Sequence, residues 1–283
     1  MTVAKLGSFS AAAAELRYTQ AAVSQQIAAL ENDLKTQLLN RRPVTPTETG
    51  ARLLEHAEPI LLRLEAARTD VTRMTKAPSA TLIIGVTPLA GAISAFGTAL
   101  AELRHQLPRL DIVVQTGNRQ ETAIAVARGE LDLALTDGLS VPGDPLPEQA
   151  PVNAVGLGQE QVAVVLPHGH PLAGRRSLHL RDLADSRWIE ADNVAPLEEI
   201  RRHAGVEGFR PALRYTGTDV MSLINLAAQG HGLTLLPETV LRDRSIAAVH
   251  IATPRLCHRM ELIHTALPKR SPAATLAALL LQR

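Results

Sequence analysis

The 283 residues are 46% hydrophobic and 20% charged, with a formal net charge of +1. That balance describes a soluble chain with ample core and, by length, about two domains, and it argues neither for nor against nucleic acid. A single cysteine, Cys257, excludes an intramolecular disulfide. The opening MTVAKLGSF lacks the apolar run of a secretory signal, and no apolar stretch approaches the roughly 18 residues of a membrane span. The expected compartment is the reducing cytoplasm, with Cys257 as a plain apolar filler near a strand.

In chain order, the first motif is a pair of short helices. Ser8 is placed to cap a helix whose Ala12, Ala13 and Leu16 form a small packing face. Arg17-Tyr18 then turns the chain. Thr19 offers its hydroxyl to the free N–H groups of a second helix running to Glu31. There Ala22, Val23, Ile27 and Leu30 repeat at helical spacing, while Gln20, Ser24, Gln25 and Gln26 crowd the first two turns. Amide and hydroxyl side chains of this length read base edges in a major groove. The motif therefore reads as a helix-turn-helix, with an ordinary helical hairpin as the alternative on periodicity alone.

Arg41-Arg42-Pro43-Val44-Thr45-Pro46-Thr47 follows. It reads as a β-ribbon wing, with Arg41 and Arg42 set to meet phosphates and Thr45 to hydrogen-bond to the DNA backbone; a solvated charged loop is the bland alternative. Within residues 16–52 five basic residues (Arg17, Lys35, Arg41, Arg42, Arg52) face three acidic ones (Glu31, Asp33, Glu48), a weak basic patch. From Glu48 to Lys76 the spacing predicts one long helix. Leu53, Ala57, Ile60, Leu64, Ala67, Val71 and Met74 form a heptad seam that needs a partner. Pro59 predicts a kink or a break inside it.

From residue 80 short apolar runs alternate with helical segments. Strands are expected at Leu82–Val86, Asp111–Gln115 and Leu131–Leu135, with helices at Pro88–Gln106 and Arg119–Arg128. This β-α-β-α-β order marks a parallel sheet with crossover helices. After the loop Val141–Pro151, strands are expected near Gln161–Leu166, Trp188–Glu190, Ala212–Tyr215, Leu233–Leu236, Val249–Ile251 and Glu261–Ala266. Helices are expected at Pro196–His203, Asp219–Gln229 and Ala273–Leu281. His168 and His170 share a loop without a carboxylate or cysteine cluster at ligand spacing, so no metal site is assigned.

The order SFSxAAxxLxxTQxxVSQQIxxLE resembles the winged helix-turn-helix of the LysR-type transcriptional regulators. The matching residues are Ser8, Phe9, Ala12, Ala13, Leu16, Thr19, Gln20, Val23, Ser24, Ile27, Leu30 and Glu31. Ala21 replaces the family's usual proline, Lys35 its glycine and Leu39 its phenylalanine. Gly129-Glu130-Leu131-Asp132-Leu133-Ala134, the His-Pro-Leu-Ala turn at 170–173 and the segment Gln229–Pro237 extend the resemblance over nearly the whole chain.

The resemblance implies a winged helix-turn-helix domain at 1–50, with the helix-turn-helix at 8–27. A linker and dimerisation helix at 51–76 and a hinge at 77–80 follow. The rest, 81–283, is a two-lobed α/β domain of the periplasmic-binding-protein type, with lobe I at 81–157 and 268–283 and lobe II at 158–267. The family's first helix is reduced here to Met1–Leu6, so the natural start is expected roughly three helical turns upstream. The implied partners are a double-stranded promoter dyad, a second copy or a dimer of dimers, and a small-molecule effector of unknown identity, with RNA polymerase as a further partner. No cofactor is implied.

For DNA, the assigned residues are Gln20, Ser24 and Gln25 on bases, Thr19 as cap and phosphate contact, and Arg41, Arg42 and Thr45 on the backbone. Gln25 stands where many relatives have arginine, which shifts the expected base preference toward adenine. For the effector, turns at the carboxyl ends of the strands supply Thr87, Asn118, Thr136, Asn193 and Thr218, which converge on an anionic group or merely cap their own helices. No arginine lies in these turns, so a carboxylate is not assigned. Two further functions stay open. A solute-binding protein of the same fold would carry a signal sequence and lack residues 8–31 as they stand. An enzyme would need a phosphate fingerprint, a nucleophile elbow or a catalytic constellation, and none is present.

Overall fold

The computed structural model describes residues 1–75, 81–167, 169–242 and 246–282. The expected hinge at 77–80, Lys76, His168 and the Met74 side chain of the seam lie outside the described residues. The chain divides into two compact units, Met1–Glu65 and Ala66–Arg283.

The first unit holds α1 (Thr2–Leu6), α2 (Phe9–Leu16), α3 (Gln20–Asp33), β1 (Leu39–Arg41), β2 (Val44–Pro46) and the start of α4 (Glu48–Thr75). Both expected caps form: Ser8 Oγ accepts the Ala11 N–H and Thr19 Oγ1 the Ala22 N–H, each at 3.2 Å. Arg17 stops α2 by turning left-handed, at φ 58°. Lys35 does the same beyond α3, at φ 52°. The family's glycine is thus missing at a position where the backbone favours one.

Val3, Ala12, Ala13, Val23 and Leu39 make the core of this unit, with Phe9, Ile27 and Val44 packed on it. The small alanines let α2 and α3 approach closely. This core is too small to include every expected apolar residue, so Leu16 and Leu30 stay 44% and 41% exposed. The wing is a true hairpin, with Asn40 opposite Thr45 and Arg41 opposite Val44.

α4 runs unbroken through Pro59, so the break expected there is absent. A proline removes one backbone donor, and the flanking turns carry the helix past it. Of the expected seam, Leu53 and Ala57 are half-buried. Ile60 and Leu64 face solvent at 66% and 47%. Gly50 sits where α4 passes the loop before β1, and a Cβ there would run into the Leu38 carbonyl oxygen.

The second unit contains, in order, β3 (Thr81–Val86), α5 (Pro88–Gly91), α6 (Ser94–Gln106), β4 (Asp111–Thr116), α7 (Arg119–Ala127), β5 (Leu133–Ser140) and β6 (Asn153–Leu166). Then come β7 (Ser177–His179), a 3-10 turn (Leu180–Leu183), β8 (Arg187–Glu190), α8 (Leu197–Ala204), β9 (Arg210–Arg214) and α9 (Val220–Ala228). β10 (Thr234–Pro237), α10 (Glu238–Leu241), β11 (Ala247–Thr253), β12 (Cys257–His264) and α11 (Pro272–Leu281) complete it. The main sheet is ordered β4-β3-β5-β12-β6-β11-β7, with β10 also on β6. The expected parallel core holds for β3, β4 and β5. β12 joins it antiparallel, which makes the sheet mixed.

β6 crosses between two lobes. Its first part, from Asn153, pairs with β12, and Val162–Leu166 pairs with β10 and β11. Beyond the crossing its residues alternate with a period of two. Val162, Val164 and Leu166 enter one core of the second lobe with Trp188 and Phe209. Ala163 and Val165 enter another with Ile189, Leu223 and Leu236. α11 returns to the first lobe, where Leu276 and Leu280 pack with Ile84, Phe96 and Leu103.

Several elements differ from expectation. The helix expected at Pro88–Gln106 is two helices, parted at Ala92-Ile93. β6 begins at Asn153 rather than Gln161, because its first half is mostly exposed and shows no apolar alternation. β7 and α10 are too short to leave a periodic signal. Among the described residues no helix is long and apolar enough to cross a membrane.

Candidate nucleic-acid interface and ligand cleft

In the first unit, α3 presents Gln20 and Gln25 to solvent and holds Ser24 half-buried. Thr19 is committed as cap to the Ala22 N–H. The Gln20 side chain is held toward α2, where its Oε1 accepts the Ser10 hydroxyl at 3.1 Å. Gln25 sits one turn further on, and no hydrogen bond ties it down among the described residues.

The two wing arginines differ. Arg42 is exposed at the hairpin tip, beside Pro43, and is free to meet a phosphate. Arg41 is tied back: its Nη2 lies 2.8 Å from Glu31 Oε2, and its guanidinium stands over the Phe9 ring at 5.0 Å. Glu31 also accepts the Leu38 and Leu39 N–H groups at 2.9 and 3.1 Å. Burial alone would raise the Glu31 carboxyl. The two backbone donors and Arg41 outweigh it and hold the group below the usual carboxylate range. Arg41 therefore fastens the wing to α3, a role beyond the phosphate contact expected of it. Thr45 accepts the Asn40 amide across the hairpin at 3.1 Å and remains exposed.

In the second unit a narrow cleft lies between the lobes, lined by Leu89, Asp137, Leu139, Glu199, Ile200, Leu235 and His258 among others, with a cavity volume of about 30 Å³. Its polar heart is Asp137, in the second half of β5. One oxygen accepts the Thr87 hydroxyl and, at 3.2 Å, the Ala90 N–H. The other lies 2.8 Å from His258 Nε2 on β12. Burial alone would lower His258; Asp137 and Glu160 reverse this and push it up to about 9. The ring is therefore a cation at neutral pH. Its Nδ1 lies 3.7 Å from Glu160 Oε1, an ion-pair distance too long for a hydrogen bond. Glu160 in turn takes the Thr239 N–H and hydroxyl.

Glu199 comes from the first turn of α8. One of its oxygens accepts the Leu139 N–H at 2.8 Å, and the other lies 3.6 Å from Arg119 Nη1 across the cleft. Burial raises the Glu199 carboxyl, against the Leu139 N–H and Arg119.

Of the five expected effector residues, only Thr87 reaches this place, and it does so through Asp137. Asn118 is spent capping α7, accepting the Glu121 N–H at 2.9 Å. Thr136, one residue before Asp137 on the strand, points to the opposite face and lines a separate pocket of the first lobe. Asn193 donates to the Thr216 carbonyl at 2.8 Å. Thr218 is exposed, and α9 is capped by its neighbour Asp219 instead. The expected convergence of five turns is thus replaced by one carboxylate-centred network. Glu160, Glu199 and His258 went unassigned because lone charged residues on strands and helices carry no motif. Asp137 follows Thr136 directly within β5, and nothing in the local sequence marks its carboxylate as the one that collects donors. Among the described residues no three His, Cys, Asp or Glu side chains cluster as metal ligands. His170 instead accepts the Leu172 N–H.

A winged helix-turn-helix on one unit and an interlobe cleft on the other define a DNA-binding protein with a ligand-binding domain. Comparison with known proteins agrees. Residues 1–51 match the model of the bacterial regulatory helix-turn-helix protein, lysR family, and residues 75–283 match the LysR substrate binding domain. The chain is 27% identical to the HTH-type transcriptional regulator CysL of Bacillus subtilis, covering 92% of this chain and 86% of that protein. It is 31% identical to a probable hydrogen peroxide-inducible genes activator of Mycobacterium avium, covering 93% and 85%. Full-length BenM shares the fold with a TM-score of 0.57 at 22% identity, over 99% of this chain and 93% of that one. CbnR in complex with its target DNA does so with a TM-score of 0.54 at 19% identity, over 99% and 96%.

The chain belongs to the LysR family of transcriptional regulators. It is a DNA-binding regulator with an effector-binding domain.

Proposed function

We propose that the protein acts in the cytoplasm as a dimer or a dimer of dimers on an interrupted promoter dyad. A small molecule in the interlobe cleft alters how the DNA is held. The observation that carries the DNA half is the capped pair α2–α3, which leaves Gln25 exposed and untied, with Arg42 exposed at the wing tip. Gln20, Ser24 and Gln25 read base edges, while Thr19, Arg42 and Thr45 fix the register on phosphates. The exposed Ile60 and Leu64 of α4 are the seam on which two copies pair. RNA polymerase is the further partner through which bound DNA becomes transcription.

The cleft supports an effector reading because its walls come from both lobes, so a ligand there has differential contacts with open and closed arrangements. The peroxide response named for one relative is a poorer fit. Cys257 is the single thiol, and burial pushes it up, with Asp144 adding to this against Arg259. The reactive thiolate is therefore disfavoured. The test is fluorescence anisotropy of the full chain on its own upstream intergenic DNA, with candidate metabolites titrated in. Sequence-selective binding that a metabolite shifts, and that a bulky Leu139→Trp substitution in the cleft uncouples from the metabolite, supports the reading. Binding that no metabolite alters contradicts its effector half.

A further inference from the structure

We propose that Asp137 fills, from within the chain, an anion seat in the cleft, and thereby makes the cleft select donor-bearing or cationic ligands over small carboxylates. The proposal rests on the cleft being the effector site.

Three donors from two stretches of chain converge on this one carboxylate: the Thr87 hydroxyl and the Ala90 N–H at the start of α5, and the His258 ring on β12. Thr87, Asp137 and His258 are only 4%, 7% and 4% exposed. Donors so placed, one of them an imidazolium, are what a free carboxylate would need for binding. In this chain they are already engaged. The remaining histidine nitrogen offers nothing to an incoming anion, because it faces the Glu160 carboxylate.

What the cleft has left is acceptor capacity. Asp137 Oδ2 receives one hydrogen bond and can take a second. Glu199 Oε1 stands 3.6 Å from Arg119, an ion-pair separation that leaves its lone pairs unbonded. Around these oxygens the wall is aliphatic: Leu89, Leu139, Val162, Ile200 and Leu235. An external carboxylate entering here meets two carboxylates, and the two donors left without a hydrogen bond, Arg119 Nη1 and His258 Nδ1, each already face one of the chain's own carboxylates, Glu199 and Glu160. A compact apolar ligand carrying an ammonium or amide N–H meets acceptors on a greasy floor. Asp137 is thus a specificity-determining residue, and its removal converts the site into an anion receptor.

The test is thermal unfolding of the full chain in sodium formate against sodium chloride at equal ionic strength. The proteins are the wild type, Asp137→Ala and the double variant Asp137→Ala/Thr87→Val. Formate should raise the Tm of Asp137→Ala saturably by about 3 °C or more, leave the wild type at its chloride value, and lose its effect in the double variant. Saturable formate stabilisation of the wild type matching that of Asp137→Ala overturns the proposal, as does the absence of any formate gain in Asp137→Ala. If Asp137→Ala does not fold in chloride, recovery of its folded signal on formate titration supports the filled seat, and failure to recover contradicts it. A wild type that binds formate through Thr87 sinks this inference while leaving the cleft as the effector site. A cleft whose ligands never change DNA binding sinks the reading beneath it.

Discussion

Arg41 Nη2 lies 2.8 Å from Glu31 Oε2, so the wing is fastened to the C-terminal half of the helix that faces DNA. The same carboxylate receives two backbone N–H groups from the strand entry. Glu31→Ala leaves those donors without a partner and should cost the first unit about 1–2 kcal/mol by denaturant titration. Because the native carboxyl titrates below its unfolded value, this contribution is present above the ordinary carboxylate range. It is lost as pH falls through the depressed native value. A wing unchanged in stability by Glu31→Ala would remove the anchor argument.

Lys35 holds φ 52°, in the left-handed region, at the position where the LysR-type motif implies glycine. Relief of left-handed strain outweighs the extra freedom glycine gives the unfolded chain, so Lys35→Gly should stabilise by about 1 kcal/mol. Gly50 makes the opposite case. A methyl there meets the Leu38 carbonyl oxygen, and Gly50→Ala should destabilise by about 3 kcal/mol. Chemical unfolding of the two variants side by side checks both signs.

His258 couples stability to pH. It faces Asp137 from β5 and Glu160 from β6, with Glu199 of α8 lining the same cleft. Its native pKa of about 9 lies above the unfolded value near 6.5, so its contribution is complete below about pH 6.5 and disappears as pH rises through 9. The unfolding free energy should fall across that window by up to about 3 kcal/mol, and His258→Asn should flatten the slope. A wild-type curve level from pH 6.5 to 9 contradicts the buried ion pair.

The two units were legible in the sequence to different depths. At the helix-turn-helix, local rules decide the structure: a hydroxyl before each helix, small residues inside and amides outside. The caps at Ser8 and Thr19 therefore form as expected. The tie of Arg41 to Glu31 was not legible because its partner is ten positions away on α3, and a contact between a helix and the following strand leaves no periodic trace. The cleft was harder still. Asp137 and His258 are 121 positions apart and meet only because β12 returns to lie beside β5. The turns at Asn118, Asn193 and Thr218 carry the right residue types, but Asn118 caps its own helix, Asn193 holds the Thr216 carbonyl and Thr218 faces solvent.

Arg41 and Arg42 should separate in solution. Arg41→Ala should lower the stability of the first unit. Arg42→Ala should leave stability unchanged, weaken DNA binding evenly across sequences and flatten its salt dependence. Equal effects of both substitutions on the salt slope would return Arg41 to the phosphate-contacting role.

The central claim, that α3 reads sequence, is tested most directly by selecting binding sites from random DNA with the wild type and with Gln25→Ala. The account predicts that the wild type recovers a dyad with an adenine preference in each half-site. Gln25→Ala should lose that preference at one base pair per half-site, by roughly 1–3 kcal/mol, and keep the rest of the pattern. An identical selection profile for both proteins would contradict it.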